Sequence, residues 1–353
     1  MQLQQRINAF STLGRFLEQF SSENSVRNDD IPKNDEFFSE MSQKIQTAKH
    51  HNGWFTKDNI HFSFKSWSQA LTEANIKKWV SNYSISAVEP KTVAVIMAGN
   101  IPLVGFHDFL SVLITGNKVL AKLSSNDKQL LPFLSKYLIA IEPEFEDYIE
   151  FSEEKLPNFD AVIATGSDNT ARYFDYYFGK YPNIIRKNRN SVAVLTGTET
   201  QEDMEQLADD IFRYFGLGCR NVSKLYVPKG YNFDTFFKGM YSWKHVINNH
   251  KYINNYDYNK AVYLMSELPL LDNEFLLLKE DSGFSSPISV VFYEVYETLD
   301  DVKNIVKNES ANIQAVVSNS DKIEGINFGE AQSPNLWDYA DGVDTLDFLL
   351  KLS

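Results

Sequence analysis

From Thr92 onward the chain alternates short, continuously apolar runs with amphipathic segments, and that rhythm admits few architectures. Thr92-Val93-Ala94-Val95-Ile96-Met97 is apolar almost without a break and stops at Ala98-Gly99-Asn100. Such a run is what a strand buried on both faces requires. The pattern predicts a helix over 104–115 closed by Gly116-Asn117, a strand over 118–122, and a helix from Ser125 through Tyr137. Further strands are expected at 161–164, 191–195, 224–227, 288–293 and 313–317, with helices at 233–240 and 298–306. Helices between buried strands imply crossover connections. The expected fold class is therefore α/β with a doubly wound parallel sheet, which binds ligands at the carboxyl ends of its strands.

The residues before this rhythm, 1–89, read as helices interrupted by a polar break over 21–33, with Thr56 a candidate N-cap. They carry no evident chemistry. The tail, 319–353, has weak periodicity. A hydrophobic content of 43% marks a globular chain, and 353 residues allow two domains. A formal net charge of -13 argues against a nucleic-acid partner. No run approaches the roughly eighteen apolar residues of a membrane span, and no signal peptide opens the chain, so the expected compartment is the cytoplasm. Neither a GxGxxG fingerprint nor a Walker loop is present, which weighs against an ordinary Rossmann or P-loop protein.

The single cysteine, Cys219, stands in Gly216-Leu217-Gly218-Cys219-Arg220-Asn221. Met204, Leu207, Ile211, Phe212 and Phe215 recur at helical spacing before it, and the strand at 224–227 comes after, so the thiol falls on a glycine-loosened turn. Flanking glycines let backbone approach a ligand and leave amides to meet a thiolate or a developing oxyanion. An inert, buried cysteine is the competing reading. One cysteine excludes an internal disulfide and a multi-cysteine zinc site. His50 and His51 lack a third ligand at metal spacing, so no metal is expected.

Four motifs then fall in one order: Asn100-Ile101-Pro102 after a strand, Gly116-Asn117-Lys118-Val119-Leu120-Ala121-Lys122-Leu123-Ser124, Thr165-Gly166-Ser167 opening a helix, and Gly218-Cys219 before a strand. Together they resemble the aldehyde dehydrogenase superfamily over roughly residues 90–317, with Phe284 to Val291 a loose echo of a further segment. The superfamily's glutamate that deprotonates the hydrolytic water should fall near Arg186-Lys187-Asn188-Arg189-Asn190, where no carboxylate stands. An acid-forming enzyme needs that base; a reductase that loads an activated acyl group on cysteine does not. This loss and the short length make the chain most similar to the acyl-CoA reductases of the LuxC type.

The resemblance implies a fold like that of the aldehyde dehydrogenases: a helical section over 1–89 packed on the cofactor domain, a cofactor domain over 90–213, a smaller α/β catalytic domain over 214–318, and a tail over 319–353 returning to the cofactor domain or an oligomer contact. It implies Cys219 as nucleophile and Asn100 as oxyanion donor beside the Cys219 amide. Lys122 and Ser124 would meet the adenosine ribose or a 2′-phosphate, and Gly166 with Ser167 would place a helix N-terminus at the pyrophosphate of NADPH or NADH. The reaction would reduce acyl-CoA to an aldehyde. Acyl-phosphate reduction and a non-catalytic subunit of a larger assembly are the alternatives. A homo-oligomer and an acyl-activating partner enzyme are the partners implied. His107 is expected as a satisfied helix histidine, Glu280 as a surface acid, and Arg220 as either a thiolate-favouring neighbour or an ion-pair partner. The abundant Tyr and Phe residues are expected in the core rather than along an acyl tunnel.

Overall fold

The computed structural model describes residues 1–85, 89–153 and 156–352. The chain forms two compact units, residues 1–187 with 335–353, and residues 188–334. This division differs from the expected one. The break falls at 187/188 rather than 213/214, and the tail is split at 334/335. The reason lies in strand pairing, which the apolar texture of a strand does not reveal: the strand at 190–194 hydrogen-bonds to the strand after the cysteine.

The first unit opens with four helices, α1 (Leu3–Glu18), α2 (Asn34–His51), α3 (Lys57–Ala70) and α4 (Glu73–Val80). Thr56 caps α3, its hydroxyl accepting the Asn59 amide at 3.3 Å. Then come β1 (Thr92–Ile96), α5 (Phe106–Ile114), β2 (Lys118–Lys122), α6 (Leu130–Ile141), β3 (Ile149–Phe151), β4 (Ala161–Thr165), α7 (Asp168–Phe178) and β5 (Asn183–Arg186). The strands run parallel in the order β3-β2-β1-β4-β5. The order reverses beside β1, the switch point at which such sheets bind ligands. The helix expected from Ser125 starts only at Leu130, because 123–129 forms a turn instead.

One core joins the helical section to the sheet: Phe10, Phe16 and Phe64 belong to the same buried cluster as Val93, Phe109 and Ile163. Arg186 closes the unit. Its guanidinium, almost fully buried, donates to Asp108 Oδ1 at 2.8 Å, Thr345 Oγ1 at 3.0 Å and the Ala340 carbonyl at 2.9 Å. It thereby fastens α5 and the closing helix Thr345–Leu350 to the end of β5.

The second unit comprises β6 (Asn190–Val194), α8 (Gln201–Phe212), β7 (Val222–Pro228), α9 (Asp234–Met240), α10 (His250–Met265), β8 (Leu271–Asp272), β9 (Leu277–Glu280), β10 (Val290–Tyr296), α11 (Leu299–Asn308) and β11 (Ile313–Val317). Its sheet order is β11-β6-β7-β10-β9-β8, parallel except for the β8–β9 pair. Thr200 and Thr298 begin α8 and α11 with capping boxes closed by Asp203 and Asp301. The Tyr/Asn-rich stretch becomes α10. Asn249 accepts the Lys251 amide at 2.9 Å to start it, and Tyr252, Tyr256 and Asn259 are its buried face, at helical spacing but without aliphatic residues.

Candidate active site

Three neighbouring strands of the first unit end at one edge. Ile96 of β1 is level with Lys122 of β2 and Ala164 of β4. The residues beyond each therefore leave the sheet together: Asn100 from β1, Ser124 from β2, Gly166 and Ser167 from β4. The Met97 amide continues the ladder by donating to the Lys122 carbonyl at 3.0 Å. A Cβ on Gly99 would lie 2.6 Å from Ser124 Cβ, so only glycine lets the β1 and β2 loops touch. Asn52, just past α2, donates to the carbonyls of Gly99 at 3.3 Å and Asn126 at 3.4 Å and ties the two loops together. Ser63 holds the Pro102 carbonyl at 3.2 Å.

Ser167 is the N-cap of α7, its exposed hydroxyl accepting the Thr170 amide at 3.4 Å. A helix start of this kind presents orphan amides and the positive dipole end to an anion. Gly166 is closely packed, since a Cβ there would meet the Thr170 and Phe174 side chains at 3.0 Å. The edge thus carries a cation, hydroxyls and a helix N-terminus at the switch point of a doubly wound sheet. Those groups fit a dinucleotide. Asp127, the carboxylate of the β2 loop, is turned inward; burial raises its pKa, although the backbone amides of Leu130, Gln129 and Leu103 pull it down.

Cys219 lies in the second unit, between α8 and β7, and is exposed. The chain leaves α8 through Tyr214 (φ 54°), Phe215 (φ 59°) and Gly216 (φ 76°), three consecutive left-handed residues of which only the glycine is at ease. Gly218 to Asn221 then closes a tight turn, the Asn221 amide donating to the Gly218 carbonyl at 3.0 Å. Ser191, wholly buried at the start of β6, donates its hydroxyl to the Cys219 carbonyl at 3.0 Å. A cleft of about 50 Å³ beside the turn, lined among others by Phe215, Gly218, Tyr252 and Pro287, has room for a water or two and not for an acyl chain.

Beyond the turn, β7 holds the 282–284 segment. Ser223 donates to the Phe284 carbonyl at 2.7 Å. The buried Lys224 ammonium donates to the Ser282 carbonyl at 2.8 Å and pairs with Glu294 at 2.6 Å. Asp210, buried near the end of α8, accepts the amides of Gly329 at 2.7 Å and Ala331 at 3.0 Å, clasping the 328–332 segment to the helix that leads to the cysteine. Desolvation pushes its pKa up to about 7, against the pull of those two amides.

The other residues singled out lie elsewhere. His107 Nε2 donates to the Leu336 carbonyl at 2.9 Å between the rings of Trp79 and Tyr339, inside the first unit. His50 and His51 are exposed at the end of α2, and Glu280 is exposed at the end of β9. Among the described residues no group of three or more His, Cys, Asp or Glu could hold a metal ion, and no helix is long and apolar enough to cross a membrane. Sequence reasoning missed Asn52, Ser191, Asp210 and Asn221. The signal for Asn52 was its place before Gly53 at a helix end; for Asp210, a carboxylate beside Ile211 and Phe212 on the apolar side of a helix.

Solved structures similar to this one share its fold at low identity. Aldehyde dehydrogenase 21 from Physcomitrella patens, in complex with the reaction product succinate, is 12% identical with a TM-score of 0.68, covering 100% of this chain and 84% of that one. An acetylating aldehyde dehydrogenase from Geobacillus thermoglucosidasius is 9% identical with a TM-score of 0.62, covering 95% and 84%. An indole-3-acetaldehyde dehydrogenase with NAD+ is 14% identical with a TM-score of 0.60, covering 90% and 72%. No curated protein matches the chain. The family model described as "Acyl-CoA reductase (LuxC)" matches residues 12–235, more than half of the sequence and both the strand edge and the cysteine turn, and the chain belongs to that acyl-CoA reductase family.

Proposed function

We propose that the protein reduces an acyl-CoA thioester to an aldehyde through an acyl group carried on Cys219. The observation that carries the reading is an exposed cysteine on a rigidly closed turn, in a chain whose 186–190 segment lacks a carboxylate to activate water. Arg186 occupies the start of that segment and is committed to Asp108 and Thr345.

In the first half-reaction the Cys219 thiolate attacks the thioester carbonyl. A bond from Cys219 Sγ to the acyl carbon forms, the bond to the CoA sulfur breaks, and CoA leaves with the electron pair and takes up a proton. Asn100 donates its side-chain amide to the carbonyl oxygen as charge develops there, with the Cys219 amide as second donor; one such donor contributes about 3 kcal/mol. A nicotinamide cofactor, when bound, would supply the hydride to the acyl carbon; the bond to Cys219 Sγ then breaks, the thiolate takes the electron pair, and the aldehyde leaves. Lys122 and Ser124 would hold the ribose or 2′-phosphate end of that cofactor, and Gly166 with Ser167 would hold its pyrophosphate at the start of α7. With no carboxylate in the 186–190 segment to activate water, the acyl group would wait on the cysteine rather than hydrolyse.

Intact-mass measurement after mixing the protein with a panel of acyl-CoAs, without cofactor, tests this directly. The expected result is one acyl adduct, lost in Cys219→Ala, with stoichiometric release of CoA. Acyl-CoA-dependent oxidation of NADPH or NADH that persists after full alkylation of Cys219 would overturn it.

A further inference from the structure

We propose that Asn221 is a positioning residue for Cys219: its carboxamide sets the backbone of the turn on which the thiol stands. The inference rests on the reading of Cys219 as nucleophile and adds to it a device that holds the nucleophile in place.

The Asn221 side chain is buried and each of its polar atoms has a partner. Its Oδ1 accepts the Gly218 amide at 2.8 Å. Its Nδ2 donates to the carbonyls of Arg213 at 2.8 Å and Asp210 at 3.0 Å, with the Ile211 carbonyl at 3.4 Å behind them. Only one orientation of the amide satisfies this set, because reversing it would put oxygen against three carbonyls and nitrogen against an N–H.

Two ends of the structure therefore converge on one group. The carbonyls belong to the last turn of α8 and its cap residue Arg213, where the chain departs through the left-handed Tyr214, Phe215 and Gly216. The Gly218 amide belongs to the peptide unit two before the thiol. The turn is closed twice between the same residues, once by the Asn221 amide on the Gly218 carbonyl and once by the Gly218 amide on Asn221 Oδ1. Cys219 and Arg220 are the two residues between those clamps, so the direction of the Cys219 Cα–Cβ bond is set by the position of the Asn221 carboxamide.

A serine or threonine could accept from Gly218 but has no second donor for the α8 carbonyls. An aspartate could accept from Gly218 but would set its other oxygen against those carbonyls. The requirement is thus for a carboxamide of this length. Its loss moves the sulfur rather than removing it, and displacement of a reacting atom by about 1 Å lowers rates by about 10²-fold.

The test compares wild type with Asn221→Asp and Asn221→Ala for acyl-adduct formation on Cys219 from an acyl-CoA, the pH dependence of iodoacetamide alkylation, melting temperature and cofactor KM. Expected are a fall of about 10²-fold in acylation rate, an altered alkylation profile, and an unchanged cofactor KM. If wild type forms no adduct, the reading of Cys219 fails whatever Asn221 does. If wild type acylates and folded variants acylate at the same rate with the same alkylation profile, the positioning role is overturned. Should neither variant fold, hydrogen exchange in the wild type decides. A protected Gly218 amide supports the proposal, and exchange at the unprotected rate overturns it.

Discussion

The strand edge of the first unit and the cysteine turn of the second position their groups by opposite means. Asn100, Lys122, Ser124, Gly166 and Ser167 emerge from the ends of three paired strands, so the ladder fixes their spacing before any side chain contributes. Cys219 sits where ladder and helix have both stopped, at the amino end of β7, and side-chain bonds from Ser191 and Asn221 replace the regular backbone. Two residues there, Tyr214 and Phe215, hold a left-handed backbone that costs about 1–2 kcal/mol each. A binding surface tolerates the small variation of loop ends. If Cys219 is the nucleophile proposed above, it needs one placement, and the strained path leads into the turn that holds it.

This contrast can be broken at several points. The largest expected effect concerns the clasp beneath the turn. Asp210 has its pKa raised, chiefly by desolvation, from an ordinary 3.8 to about 7. Because the folded value is the higher one, its contribution to stability is complete below about pH 4 and is lost as pH rises through about 7, a swing on the order of 4 kcal/mol. Chemical denaturation between pH 4 and pH 8 should show this fall, and Asp210→Asn should flatten it. An equally steep fall in the variant would mean that a group other than Asp210 sets the pH dependence.

Asn100→Ala comes next. Loss of one oxyanion donor should lower the acylation rate by about 10²-fold, near 3 kcal/mol, with the cofactor KM unmoved. A change in cofactor KM alone would assign Asn100 wholly to the binding edge and redraw the division of labour. The smallest effect is expected from Lys122→Ala. Removal of one charge from an edge that also offers a helix N-terminus should raise the cofactor KM about tenfold, or 1.4 kcal/mol, without altering the acyl adduct seen by mass spectrometry. A loss of adduct in that variant would show that the two regions are not separable.

Much of this was legible from residue order. The continuous apolar runs located the buried strands, and the glycines around Cys219 announced a turn. Strand order was not legible, because apolar strands of both sheets read alike; β6 therefore went to the wrong side of the expected boundary. The helix α10 was hidden because tyrosine and asparagine make its buried face. Asn221 was invisible for a different reason. An asparagine in a turn is ordinary turn chemistry, and only the folded chain reveals that its carboxamide also ends a helix eight residues earlier.

The exposure of Cys219 has a further consequence, for oxidative chemistry. A sulfenic acid formed there by peroxide finds no second thiol among these 353 residues with which to condense. Rescue by a thiol must come from another molecule, and without it the sulfur is open to further oxidation to states that reductants do not reverse. An acyl group resident on that sulfur would shield it, so the protein should survive peroxide best while loaded with substrate.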